Sequence, residues 1–67
     1  MITVSINGET RQFPQSTSIA TLIGEMGWTG KRIAVERNGE IVPRSTFADA
    51  ELADGDRLEI VVAVGGG

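Results

Sequence analysis

Three glycines in succession, Gly65-Gly66-Gly67, close the sequence behind Val64. Glycine makes up roughly 7% of average proteins, so three in a row at one set place has a chance of order 10⁻³ or lower. Packing does not account for them, because glycine has no side chain to bury and the largest backbone entropy to lose on folding. What such a run offers is a terminal carboxylate unhindered by Cβ atoms, on a segment slim enough to thread a narrow channel. Four extended residues span about 14 Å. A carboxylate becomes an acyl donor once its oxygen is a good leaving group. Adenylation achieves that, and a sulfur or nitrogen nucleophile can then attack the acyl-adenylate. The competing reading is a loose chain end with no task.

The chain has no groups of its own for that activation. Its 67 residues include no cysteine and no histidine. Thiolate nucleophiles and histidine bases are thereby excluded, as are the usual zinc and copper ligand sets. A domain this small also cannot keep a core and wall off a ligand site, whose volume starts at about 300 Å³. The expectation is a protein cosubstrate with no catalytic residues, no metal and no bound cofactor. Six basic residues stand against nine acidic ones, a net charge of −3. Only Lys31, Arg32 and Arg37 cluster, with acids around them, which argues against a nucleic-acid partner. No apolar run approaches the ~20 residues that span a bilayer. Met1-Ile2-Thr3-Val4-Ser5 lacks the pattern of a secretory leader. A cytoplasmic protein with no membrane partner is expected.

Positioning a terminal carboxylate requires a fold that ends in a well-held strand. Ile2, Val4 and Ile6 alternate with Thr3 and Ser5 at the period of a half-buried strand. Asn7-Gly8 suits a type I′ turn, and Glu9 to Phe13 returns before Pro14. Ser18 is the expected N-cap of a helix whose stripe is Ile19, Leu22, Ile23 and Met26, ending at Gly27 after about two and a half turns. Gly24 inside it is expected to permit close packing on the sheet. Ile33 to Arg37 forms a third strand, Asn38-Gly39 a second tight turn, and Glu40-Ile41-Val42 a short return before Pro43. Arg44 to Leu52 is irregular, with a short 3₁₀ turn, and Phe47 and Leu52 anchor it. Asp54-Gly55-Asp56 turns into Arg57 to Val64, the strongest strand.

This order implies an α+β domain over residues 1–63 and a flexible glycine tail over 64–67. First and last strands lie side by side and parallel, joined by the helical crossover and flanked by hairpin strands. That is the β-grasp: a mixed sheet of four to five strands with one helix packed across one face. If Leu58, Ile60 and Val62 face the helix, Glu59, Val61 and Ala63 face away. Val61 and Ala63, continuing to Val64, then make an apolar docking strip that leads to the tail. The pairs Glu36 with Arg37 and Arg57 with Glu59 read as exposed charge. Asp54 and Asp56 read as turn residues, not as a calcium loop, whose other ligands are missing. Trp28 seals a core edge.

Taken together, the pattern, Asn38-Gly39, Val42-Pro43-Arg44, Phe47, Asp54-Gly55-Asp56 and the closing Gly66-Gly67 resemble the ThiS-type sulfur carriers of thiamine biosynthesis, a ubiquitin-like β-grasp family. The resemblance runs over nearly the whole chain. It implies that Gly67 is adenylated with ATP by an E1-like enzyme and becomes a thiocarboxylate. Gly66 is then its unhindered neighbour and Gly65 an additional glycine. It further implies sulfur drawn from a cysteine desulfurase persulfide, and thiazole synthase as the consumer. The small subunit of molybdopterin synthase also ends in Gly-Gly but tends to carry a proline before its tail; Ile60-Val61-Val62-Ala63-Val64 has none. A ubiquitin-like modifier, joining Gly67 to lysines, and an inert interaction module are the remaining alternatives.

Overall fold

The computed structural model describes residues 1–63. Its strands are β1 (Ile2–Ile6), β2 (Glu9–Phe13), β3 (Arg32–Arg37), β4 (Glu40–Val42) and β5 (Arg57–Ala63), with one helix, α1 (Ile19–Glu25), and a 3₁₀ turn at Arg44–Thr46. The five strands form one sheet in the order β2-β1-β5-β3-β4. β1 and β5 are parallel, and every other pairing is antiparallel. The mixed sheet and the central parallel pair are those the alternation and turn chemistry imply. Among the described residues no helix is long and apolar enough to cross a membrane.

Both Asn-Gly turns have positive φ at both positions: 52° and 86° at Asn7-Gly8, 51° and 87° at Asn38-Gly39. This is the type I′ requirement that selects the dipeptide. The structure adds a second reason for asparagine. Asn7 Oδ1 accepts from the Ile60 N–H at 2.7 Å while its Nδ2 donates to the Ile60 carbonyl at 3.0 Å, so the amide serves as one more rung of the β1–β5 ladder. Asn38 Oδ1 likewise accepts from the Arg57 N–H at 2.9 Å. Each turn is thereby sewn to the last strand.

The helix is shorter than expected, seven residues or about two turns. Ser18 caps it as anticipated, its Oγ accepting from the Thr21 N–H at 3.1 Å. At the other end Gly27, with φ 78°, allows the chain to double back. The Gly27 N–H donates to the Gly24 carbonyl and the Trp28 N–H to the Ile23 carbonyl, the paired bonds of a Schellman motif. Trp28 thus closes the helix and packs against the core edge, as expected of it.

Gly24 does not serve the sheet. It is exposed, and a Cβ there would meet only Thr29 Oγ1, at an ordinary 3.6 Å. Nothing in its surroundings requires glycine. Gly24→Ala is therefore expected to stabilise the fold by about 0.5–1 kcal/mol, through helix propensity and a less flexible unfolded chain. Gly27→Ala, forced into the left-handed region, is expected to destabilise by about 1–2 kcal/mol. Urea midpoints of the two variants should move in opposite directions; a common direction would refute this account of the two glycines.

The core lies between α1 and one face of the sheet. Ile19, Leu22, Val4, Val35 and Leu58 are its most enclosed side chains. Phe47 and Leu52, the expected anchors of the irregular segment, are buried beside them. Backbone bonds hold that segment to the helix start: Ile19 N–H to the Ala50 carbonyl, Ala20 N–H to the Phe47 carbonyl and Leu52 N–H to the Thr17 carbonyl.

The last strand as candidate functional site

β5 is gripped on both sides. Ser5 and Ile6 of β1 align with Arg57 and Leu58, and β3 pairs with it from Arg37 opposite Leu58 to Arg32 opposite Ala63. Leu58 and Ile60 are buried, Val62 is half-buried, and Glu59, Val61 and Ala63 are exposed. The strand therefore faces as the alternation implies, and Val61 and Ala63 point away from the helix side. Val61 is 65% exposed, so it contributes little to the core. Val64, Gly65, Gly66 and Gly67 lie outside the described residues.

Two neighbours enlarge the strip. Ala34 is the Cα partner of Val61, and Glu36, two residues further along β3, is the partner of Ile41 on β4. By the period of two, Ala34, Glu36 and Ile41 share the outward face with Val61. Ile41 is 68% exposed. Glu36 and Glu59 stand opposite each other on the same face and border the apolar residues. Sequence reading missed Ala34 and Ile41: three-residue β4 has too little alternation to fix the face of Ile41, and the alternation of β3 does not say which residue of β5 lies beside Ala34. Only the register places them beside Val61.

The opposite end of β5 is anchored by charge. Asp56 is buried, and its carboxylate accepts from Arg37 Nε at 3.0 Å, from Asn38 Nδ2 at 3.2 Å and from the Ala53 N–H at 2.8 Å. Arg37 Nη2 also lies 3.0 Å from the same carboxylate and donates to the Glu51 carbonyl. Arg37 is thus not the exposed charge expected. It clamps the turn before β5 to the end of β3, a pairing of residues 19 apart that no local pattern reveals. Asp54 Oδ1 accepts from the Thr3 N–H at 2.7 Å, so both turn carboxylates bind backbone N–H groups. Among the described residues no cluster of three or more carboxylates, histidines or cysteines could hold a metal.

Burial by itself pushes the Asp56 carboxyl up, but the Ala53 N–H, the Asn38 amide and the Arg37 guanidinium outweigh it and hold the group below the ordinary value of 3.8. A carboxyl depressed on folding stabilises the native state fully above its unfolded value, and that contribution disappears as pH falls through the folded one. Wild type should thus exceed Asp56→Asn in stability by a constant margin above about pH 5, narrowing as pH drops below 3.8. Urea titrations at a series of pH values measure the margin. A difference independent of pH down to 2 would remove the charge from the explanation.

Against known proteins, residues 4–67 match the model of the ThiS family. The chain belongs to the ThiS family. The sulfur carrier protein ThiS of Bacillus subtilis is 35% identical over 96% of the chain and 98% of its own length. A crystal structure of the thiamine biosynthesis protein ThiS from Geobacter metallireducens superposes with a TM-score of 0.81 at 26% identity, covering 98% of this chain and all of that one. The β-grasp is therefore the ThiS fold. A thiazole synthase of Paramagnetospirillum magneticum is 52% identical over 92% of the chain, which spans only 19% of that protein's length.

Proposed function

We propose that the chain is a sulfur carrier of thiamine biosynthesis whose Gly67 carboxylate is the sulfur-bearing group. An E1-like enzyme adenylates Gly67 with ATP, releasing pyrophosphate. The outer sulfur of a persulfide derived from a cysteine desulfurase then attacks the acyl-adenylate and expels AMP, giving an acyl disulfide. A second thiol reduces its S–S bond, leaving the Gly67 thiocarboxylate and a disulfide. Thiazole synthase takes that sulfur into the thiazole ring. The carrier itself binds no cofactor, since ATP is consumed by its partner, and the setting is the cytoplasm. Gly65 and Gly66 keep the approach to Gly67 free of side chains. The strip of Val61 and Ala63, continued by Val64, docks the partners that handle the terminus.

What supports this reading above all is the family match that runs through Gly67, including the closing glycines. The thiazole synthase similar to this chain over about a fifth of its own length supports the choice of consumer. The test is the intact mass of the protein isolated from its native cell under gentle conditions. The expected species is heavier by one oxygen-to-sulfur exchange, localised to Gly67. Adducts joining Gly67 to lysines would mark a modifier instead. A free carboxylate that stays unchanged with the adenylating enzyme, ATP and a sulfur source would overturn the proposal.

A further inference from the structure

On the helix side of the sheet a cleft of about 160 Å³ opens between α1, the turn after it and the 3₁₀ turn. Its apolar lining includes Ile23 and Phe47, both buried, and the half-buried Trp28 and Ile33. Lys31 and Arg44 are its charged residues, and the lining contains no acidic residue although acids outnumber bases nine to six in the chain. Both cations are exposed, and the ion pairs among the described residues engage Arg11 and Arg37 instead.

Size and charge together define the occupant. The volume is below the ~300 Å³ of small-molecule sites but matches the ~150 Å³ that holds a benzene ring. It therefore fits one side chain of something larger. A half-buried tryptophan beside a paired set of cations is the composition of an interface anchor. We propose that this cleft docks an acidic segment of a partner protein, which inserts one aromatic or branched side chain between Ile23, Trp28 and Phe47. Its carboxylates meet Lys31 and Arg44.

Placement names the partner's task. Lys31 precedes Arg32, the Cα partner of Ala63, and Ile33 is the partner of Val62. The cleft thus lies at the end of the sheet where β5 leaves it, on the face opposite Val61. A protein that grasps the chain beyond Ala63 can hold both faces at once. This last step rests on the proposed handling of Gly67; the cleft's preference for an acidic segment does not.

The probe is the blocked pentapeptide Asp-Glu-Phe-Asp-Glu, titrated into the full chain. Trp28 is the sole tryptophan, so its fluorescence reports the cleft directly. The expected result is a saturable change with a Kd of about 1 mM or tighter. Amide resonance shifts should be confined to Ile23, Trp28, Lys31, Ile33, Arg44 and Phe47. Lys31→Glu with Arg44→Glu, both at exposed positions, should weaken binding at least about tenfold while leaving the folded spectrum in place. Lys-Lys-Phe-Lys-Lys should not bind. Equal binding of the two peptides, no saturable change, or shifts on the Val61 face would overturn the proposal. So would reproduction of the shifts by inorganic phosphate, which would mark a small-anion site. Shifts of Gly65 to Gly67 in step with the cleft would instead assign it to the chain's own terminus. Thiocarboxylate formation is read separately by mass, so either idea can fail alone.

Discussion

A chain lacking Gly67 should unfold at the same urea concentration as the full chain and take up no sulfur. Every buried core residue among those described lies between Ile2 and Ile60, so the packing that sets stability is complete before the last glycine. The variant still ends in a glycine carboxylate, but one set back by a full residue, about 3.5 Å. A misplacement of about 1 Å at a reacting centre already costs on the order of 10²-fold in rate. A shortfall several times larger should bring sulfur uptake below detection. The assay is the mass of the variant after incubation with the adenylating enzyme, ATP and the sulfur source. Uptake at the full rate would show that the exact length of the terminus is immaterial, and loss of the folded state would show that Gly67 belongs to the fold.

The second large effect is on stability. Leu22 lies on the buried stripe of α1 and is 0% exposed. Leu22→Ala removes its transfer free energy and leaves a cavity, together costing about 2–5 kcal/mol. At roughly 0.05–0.15 kcal/mol per residue, a 67-residue domain has only about 3–10 kcal/mol in total. The variant should therefore lose at least about a fifth of its stability and populate the unfolded state under milder conditions than the full-length wild type. Urea unfolding followed by Trp28 fluorescence measures the loss. A decrease below about 1 kcal/mol would mean that the helix repacks around the gap.

Much of this architecture is written locally. Ile2, Val4 and Ile6 declare a face by their period, and Asn7-Gly8 and Asn38-Gly39 declare their turns by the φ values they tolerate. Ser18 and Gly27 bracket the helix for similar reasons of backbone geometry. Where local signals are short, or the interaction is distant, reading fails. Arg37 looks like surface charge because its partner Asp56 arrives only with the turn before β5. Gly24 suggests close packing, yet its exposed position depends on how α1 is rotated over the sheet. Ile41 and Ala34 join the Val61 strip only through strand register. The cleft of Lys31 and Arg44 likewise unites the end of the helical crossover with a segment beyond β4.

The parallel pairing of the first and last strands also fixes how the domain bears load. Ser5 lies level with Arg57, so Ile2 and Ala63 stand at opposite ends of the sheet, about 30 Å apart along the strands. Tension between the two ends of the chain slides β1 and β5 past each other. The bonds from the Ser5 N–H to the Asp56 carbonyl and from the Asn7 N–H to the Leu58 carbonyl then share the strain, as do the two from the Asn7 amide to Ile60. They must yield together, whereas a hairpin pulled from its open end unzips one rung at a time. A protein that seizes this chain beyond Ala63 and draws on it meets the sheet in shear, its stiffest direction, and a tether at Met1 stays at the far end.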